Sequence, residues 1–189
     1  MSIPIYAAGM SLRIALLGLL KASGPSSGYD LAKKFETSVA HVWQAGHSQI
    51  YPELAKMAAD GLVAVEAEGA RGRKIYGVTP DGDAELRRWL LGHEPSTTVR
   101  SEAALQSFLV PLLEPGEAVT VLRRMKEASE ARLAELEALR VRKDAVTDAA
   151  HQWGMFGAYA LDLGIRQARG FVEWADDSIA DIERRSDAT

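Results

Sequence analysis

Apolar and polar residues follow one another along this chain with two different periods, and the points where the period changes mark the elements. Residues 11–21 carry Leu12, Ile14, Ala15, Leu16, Leu17, Leu19 and Leu20. A helix that is apolar nearly all round is a buried one, so this segment is expected to be the central helix of a first domain. The run 22–28, Ala-Ser-Gly-Pro-Ser-Ser-Gly, stops it, because Gly and Pro break helices and favour turns. A short helix is expected at 29–36, with Leu31, Ala32 and Phe35 at helical spacing. A loop with Trp43 and Gly46 leads to a third helix at 48–60, where Ile50, Leu54, Met57 and Ala58 fall on one face. Gly61 is suited to end it in the left-handed conformation. The period then shortens to two. Val63 and Val65 share a face, so 62–68 reads as a half-buried strand, 69–72 as its turn and 74–78 as the returning strand. Thr79-Pro80 opens another helix, with Thr as N-cap and Pro at the first helical position, where its missing N–H costs nothing. That helix, 80–91, presents Ala84, Leu86, Trp89 and Leu90.

The second half is helical throughout. Residues 93–101 are the linker candidate, dividing the chain into 1–93 and 94–189. A short helix is expected at 102–113, a break at Glu114-Pro-Gly-Glu117, and a long helix at 117–147 rich in Ala, Glu, Leu and Arg, all good helix formers. The last helix, 148–184, repeats apolar residues at Ala158, Leu161, Ile165, Ala168, Val172, Ala175, Ile179 and Ile182, a heptad seam. A second stripe, Phe156, Tyr159, Leu163, Phe171 and Trp174, lies on another face. Two apolar faces need two partners: the preceding helix and, most economically, a second subunit. Leu161, Ile165, Ala168, Val172, Ala175 and Ile179 are the residues assigned to that dimer contact. The aromatic group Trp153, Phe156, Tyr159, Phe171 and Trp174 has two readings, ordinary core or a pocket for a small apolar or aromatic effector. Gly154, Gly157, Gly164 and Gly170 are costly inside a helix and imply close helix approach or a local bend.

Composition narrows the function classes. At 189 residues the chain can bury one large or two small cores. It has no cysteine, which excludes disulfides, thiolate catalysis and Cys-based zinc sites and fits a reducing, cytoplasmic setting. No apolar run reaches roughly 18 residues, so no membrane span is expected. The apolar stretch 14–20 lacks the basic flank of a secretory leader. His41, His47, His93 and His151 include no i, i+4 pair of the kind that ligates zinc on a helix. Phosphate-binding glycine loops and a Gly-x-Ser-x-Gly elbow are absent from the sequence, and the carboxylates fall on helix faces where they can pair with Arg. Neither catalysis nor a cofactor is expected.

The net charge of −4 is unevenly spread: ten Lys and Arg against nine Asp and Glu up to His93, then twelve against seventeen. Any binding of nucleic acid must therefore come from placed cations rather than bulk charge. The third helix offers Ser48, Gln49, Tyr51 and Lys56 off its apolar face, with His47 just before them. Gln49 suits adenine through its amide, and the Ser48 and Tyr51 hydroxyls suit phosphate oxygens. The bland alternative is that Ser48 only caps the helix and Tyr51 packs on Trp43. Tyr29 and Lys33, one turn apart, could meet backbone phosphates beside a helix start, or simply decorate the surface. Arg71, Arg73 and Lys74 sit at a hairpin tip as phosphate contacts or as solubilising charges.

Three helices, a two-stranded ribbon and a further helix follow the order of a winged helix-turn-helix. The detailed residues resemble the PadR family of transcriptional regulators. The matching runs are Leu16-Leu-Gly-Leu-Leu20, Ser27-Gly-Tyr-Asp-Leu31, Ser48-Gln-Ile-Tyr-Pro-Glu-Leu54, Asp60-Gly-Leu-Val63 and Arg73-Lys-Ile-Tyr-Gly-Val-Thr-Pro-Asp-Gly82. In the second half, Phe108-Leu-Val-Pro-Leu-Leu-Glu-Pro-Gly-Glu117, the 133–139 helix, Leu161-Asp-Leu-Gly164 and Glu173-Trp174 resemble the longer subclass of that family. The resemblance implies a mainly α fold with a small β-hairpin, an N-terminal winged helix-turn-helix and a C-terminal helical dimerisation domain. It implies a homodimeric regulator, often a repressor, that binds a double-stranded DNA operator and in some members responds to phenolic acids, drugs or other small molecules. The third helix would enter the major groove and the wing would follow the backbone or minor groove. This wing is short, and its cations are few. A winged-helix module that binds protein instead of DNA is the alternative reading.

Overall fold

The structure is a computed structural model that describes residues 6–39, 42, 45–69, 72–95, 101–144 and 156–187. Two compact units divide the chain, Met1–Pro95 and Ser96–Thr189.

The first unit is a winged helix-turn-helix. Its elements are α1 (Tyr6–Ser23), β1 (Ser26–Ser27), α2 (Gly28–Ser38), α3 (His47–Ala59), β2 (Val63–Gly69), β3 (Arg73–Val78) and α4 (Pro80–Gly92). As its composition demands, α1 is central: Leu12, Ile14, Leu16, Leu17, Leu19 and Leu20 are all buried. Against it lie Leu31, Ala32 and Phe35 of α2, Ile50, Leu54 and Met57 of α3, then Val63 and Leu86. Leu16, Leu17, Leu31, Phe35 and Leu54 have no exposed surface, and each such side chain is worth about 1.5–3 kcal/mol relative to leaving it in water.

The wing is a three-stranded antiparallel sheet in the order β1-β3-β2, where the sequence suggested only a two-stranded ribbon. Ser26 and Ser27, expected in a turn, pair with Tyr76 and Ile75. A two-residue strand has no period to read, and its buried serines do not announce it. Ser27 also caps α2, its hydroxyl accepting from the Asp30 N–H at 3.2 Å. The ladder between β2 and β3 slips between Val65 and Ala67, a bulge at Glu66. Val63 is buried, whereas Val65, on the same face and nearer the hairpin tip, is 40 % exposed although the register between them is regular.

Gly61 ends α3 with φ of +74°, a conformation glycine adopts without penalty. Thr79 caps α4 as expected: its hydroxyl accepts from the Gly82 N–H at 3.1 Å and donates to the Gly61 carbonyl at 2.6 Å. A side chain at Gly82 would begin 2.0 Å from the Leu62 carbonyl oxygen, so α4 can seat only through a hydrogen atom there.

The second unit contains α5 (Glu102–Leu109), a 3-10 turn (Val110–Leu112), α6 (Pro115–Asp144) and α7 (Ala158–Asp187). The expected start of the last helix, 148–155, lies outside the described residues. α6 and α7, each 30 residues long, form an antiparallel pair. Ion pairs tie them along their length: Arg123–Glu183 at 3.1 Å, Lys126–Asp176 at 2.6 Å, Arg169–Glu137 at 2.5 Å and Arg140–Asp162 at 2.8 Å. Gly164 permits close approach, a Cβ there meeting Leu136 at 3.3 Å.

The heptad seam requires a correction. Leu161 and Ile165 bury against Leu136, with Leu133 and Leu139 alongside. Ile179 buries with Val110, Ala118, Val119 and Leu122. Ala168 and Ala175 are buried and Val172 is half-buried. Of these six residues, assigned from sequence to a second subunit, five are buried within their own chain and Val172 is half-buried. A helix pair buries its most regular stripe first, and that stripe belongs to α6. What remains open is the less regular set, including Tyr159 (81 % exposed), Leu163 and Trp174, and on the α5 side Leu105, Phe108 (80 % exposed) and Leu112.

Candidate nucleic-acid interface

α3 exists as an amphipathic helix because Ile50, Leu54 and Met57 return at helical spacing and bury on the core. Glu53 shares that buried side. Its carboxylate accepts from Arg13 of α1 at 2.8 Å, and Arg13 also reaches Asp60 at 2.8 Å. Burial opposes the charge on Arg13, but the two carboxylates outweigh it and hold its pKa above the usual arginine value. Arg13 therefore grips α3 at two points seven residues apart, fixing its rotation about its own axis. Periodicity does not reveal this brace, since Arg13 stands alone in an apolar run and Glu53 looks like a surface residue. A lone charge at a core position is the signal the sequence does carry.

With the inner face fixed, the outer face is defined. His47, Ser48, Gln49, Tyr51, Pro52, Ala55, Lys56 and Ala59 are exposed. Ser48, Pro52, Ala55 and Lys56 follow one another at spacings of four, three and one, a continuous outward strip that adds two apolar residues to the polar set expected from sequence. Pro52 has no N–H to give the Ser48 carbonyl, so the α-helical bond at that point is missing.

The helix start differs from the capping reading of Ser48. Gly46 is the N-cap, and the Gly46 N–H donates to Gln49 Oε1 at 3.2 Å. Tyr51 is 46 % exposed and lies across Gly28 at the start of α2, where an added Cβ would come within 2.7 Å of Tyr51 Cε1. Trp43, the partner considered for Tyr51, lies outside the described residues. His47 stands 6.2 Å from Tyr51, ring centre to ring centre, and its Nε2 is 3.3 Å from Glu36 Oε1 of α2.

Tyr29 (62 % exposed) and Lys33 are on the open side of α2. Of the three wing cations, Arg71 lies outside the described residues. Arg73 is not a free fingertip: it pairs with Asp30 of α2 at 2.6 Å. The Ser27 hydroxyl, donating to the same carboxylate at 2.7 Å, together with Arg73 holds Asp30 below the usual carboxylate range against the opposing effect of desolvation. Arg73 thus joins the turn end of the wing to the start of α2. Lys74 is exposed and sits opposite Glu68 in the ladder, with Glu66 two residues before it on β2. Among the described residues the wing is therefore mixed in charge, a point hidden when its cations are counted without the facing strand.

In the second unit the aromatic group does not converge among the described residues. Phe171 and Trp174 form a tilted pair with ring centres 5.0 Å apart. Tyr159 lies 15 residues before Trp174 on the same helix, about 22 Å at 1.5 Å per residue. Phe156 is half-buried just ahead of α7, and Trp153 lies outside the described residues.

Among the described residues, no helix is long and apolar enough to cross a membrane. Residues 16–88 match the model of the transcriptional regulator PadR-like family, and residues 99–183 match that of the virulence activator alpha C-terminal region. The chain is 29 % identical over 181 residues to the negative transcriptional regulator PadR of Bacillus subtilis, covering 92 % of this chain and 98 % of that one. The crystal structure of Bacillus subtilis PadR with operator DNA matches at a TM-score of 0.75 and 29 % identity, over 91 % of this chain and 99 % of that chain. The same protein with p-coumaric acid matches at 0.76 and 30 %, over 91 % and 98 %. The Vibrio cholerae virulence activator AphA shares the fold at a TM-score of 0.71 and 25 % identity, over 92 % of this chain and 99 % of that one.

Proposed function

We propose that this chain, which belongs to the PadR-like family of transcriptional regulators, is a homodimeric repressor that grips operator DNA with α3 and releases it when a small aromatic acid binds. The observation that carries this reading is the outer strip of α3: polar and small residues, exposed over three turns, on a helix whose opposite face is locked into the core by Ile50, Leu54, Met57 and the Arg13–Glu53 pair. A helix so held can enter a major groove without losing its own packing.

In this reading Ser48, Gln49, Pro52 and Ala55 face base edges. Tyr29, Lys33, His47, Tyr51 and Lys56 face the sugar-phosphate backbone, and Arg71 and Lys74 touch the flanking duplex. Arg73 acts by anchoring the wing. Two copies related by a two-fold axis would read half-sites about 34–36 Å apart, or a multiple of that. The dimer would form through the apolar residues of residues 94–189 that the helix pair leaves open, Tyr159, Leu163 and Trp174 on α7 and Leu105, Phe108 and Leu112 near α5, in place of the seam. The Bacillus subtilis relative has been crystallised with p-coumaric acid; the Phe171–Trp174 pair is the described surface here best suited to a planar aromatic ring. The protein acts in the cytoplasm and performs no catalysis.

Gel shifts with the duplex upstream of the protein's own gene test the reading. Binding that is sequence-selective, falls steeply with salt and weakens when p-coumaric acid is added is the expected result. Salt-insensitive or unselective binding would favour a protein-binding module instead.

A further inference from the structure

We infer that Gln49 selects a base that offers only acceptors, guanine or thymine, because its amide oxygen is committed to the start of α3. This deepens the DNA-binding reading above and rests on it. Gly46 caps α3 and has no side chain with which to satisfy the unpaired N–H groups of the first turn. Gln49 is tied to Gly46 twice. Its backbone N–H donates to the Gly46 carbonyl at 2.9 Å, and its Oε1 accepts from the Gly46 N–H at 3.2 Å.

A backbone N–H can only donate, so chemistry fixes which end of the Gln49 amide faces inward. The exposed end is the N–H2 group, two donors and no acceptor. Reading adenine requires an amide to use both ends: the N–H2 on N7 and the oxygen on the N6 amino group. With the oxygen withdrawn, the adenine amino group and the cytosine amino group would each confront a donor. Guanine N7 and O6 and thymine O4 present acceptors alone. The exposed, apolar Pro52 and Ala55 on the following turn suit the thymine methyl but do not decide between the two bases.

The test is selection from random duplexes with the full-length wild type, Gln49→Ala and Gln49→Glu. In Gln49→Glu one carboxylate oxygen still accepts from Gly46, so the cap persists while the outward donor becomes an acceptor. Its melting temperature should match the wild type, which keeps the comparison valid even if Gln49→Ala is destabilised. The wild type should show a symmetric pair of guanine or thymine positions that lose about tenfold preference in Gln49→Ala. In Gln49→Glu the same positions should turn toward cytosine or adenine. An adenine preference in the wild type that Gln49→Ala erases would overturn the inference, as would identical preferences in all three proteins. A wild type with no sequence preference at all would remove the underlying DNA-binding reading together with it.

Discussion

The two units bury their apolar residues by different means. In the first, one nearly all-apolar helix is enclosed by three others and a sheet, and the large side chains of its core are buried. In the second, two 30-residue helices have little but each other, and a narrow seam is all that a pair can hide. Phe108 and Leu112 are 80 % and 81 % exposed there, and Tyr159 is 81 % exposed. The first unit encloses its central helix, although Leu90 and Leu91 at the end of α4 stay exposed. The second unit leaves a surface typical of half an interface.

The sharpest way to break the contrast is within the seam. Ile165→Asp places an unpaired carboxylate between α6 and α7 and should cost about 3–5 kcal/mol, melting the second unit while near-ultraviolet signals of the first persist. A single cooperative loss of both would show that the units are not separate in stability. In the first unit, Leu54→Ala should cost about 2–5 kcal/mol by leaving a cavity behind the reading face, and Gly82→Ala about 1–3 kcal/mol by forcing α4 off the Leu62 carbonyl. Urea titration measures both, and a neutral Gly82→Ala would mean the turn yields more easily than its packing suggests.

At the open surface the sign differs. Phe108→Ser with Leu112→Ser should leave the subunit fold intact yet weaken self-association about tenfold or more in sedimentation experiments, since the residues are already in water in the lone chain. Unchanged association would move the interface elsewhere. Smaller still, Lys33→Ala and Lys56→Ala should each lower the slope of log affinity against log salt by about two, since a homodimer loses one phosphate contact in each subunit. The least effect is at Asp30. Its carboxyl titrates below its unfolded value, so the Ser27 and Arg73 hydrogen bonds contribute above pH about 4 and fade as pH falls through the lowered pKa. Asp30→Asn should flatten that part of the acid-unfolding curve.

Legibility in the sequence followed how local each cause was. Periodicity exposed α1 to α4, and single-residue chemistry marked Gly61 and the Thr79-Pro80 start, because those effects act within a turn or two. The seam was visible as a pattern, but a pattern does not say which partner fills it. Facts that need two distant segments stayed hidden: the pairing of Ser26–Ser27 with β3, Arg73 with Asp30, Arg13 with Glu53 and Asp60, and the ring of Tyr51 over Gly28. The cationic tip looked stronger in sequence than in space because Glu68 faces Lys74 across a bulged ladder.

Pro52 gives α3 a mechanical character of its own. The missing rung beneath Ser48 separates the opening turn from the shaft that Glu53, Leu54 and Met57 keep seated. That turn is itself seated, with Ile50 buried and Tyr51 lying across Gly28, so side chains hold it where one backbone bond is missing.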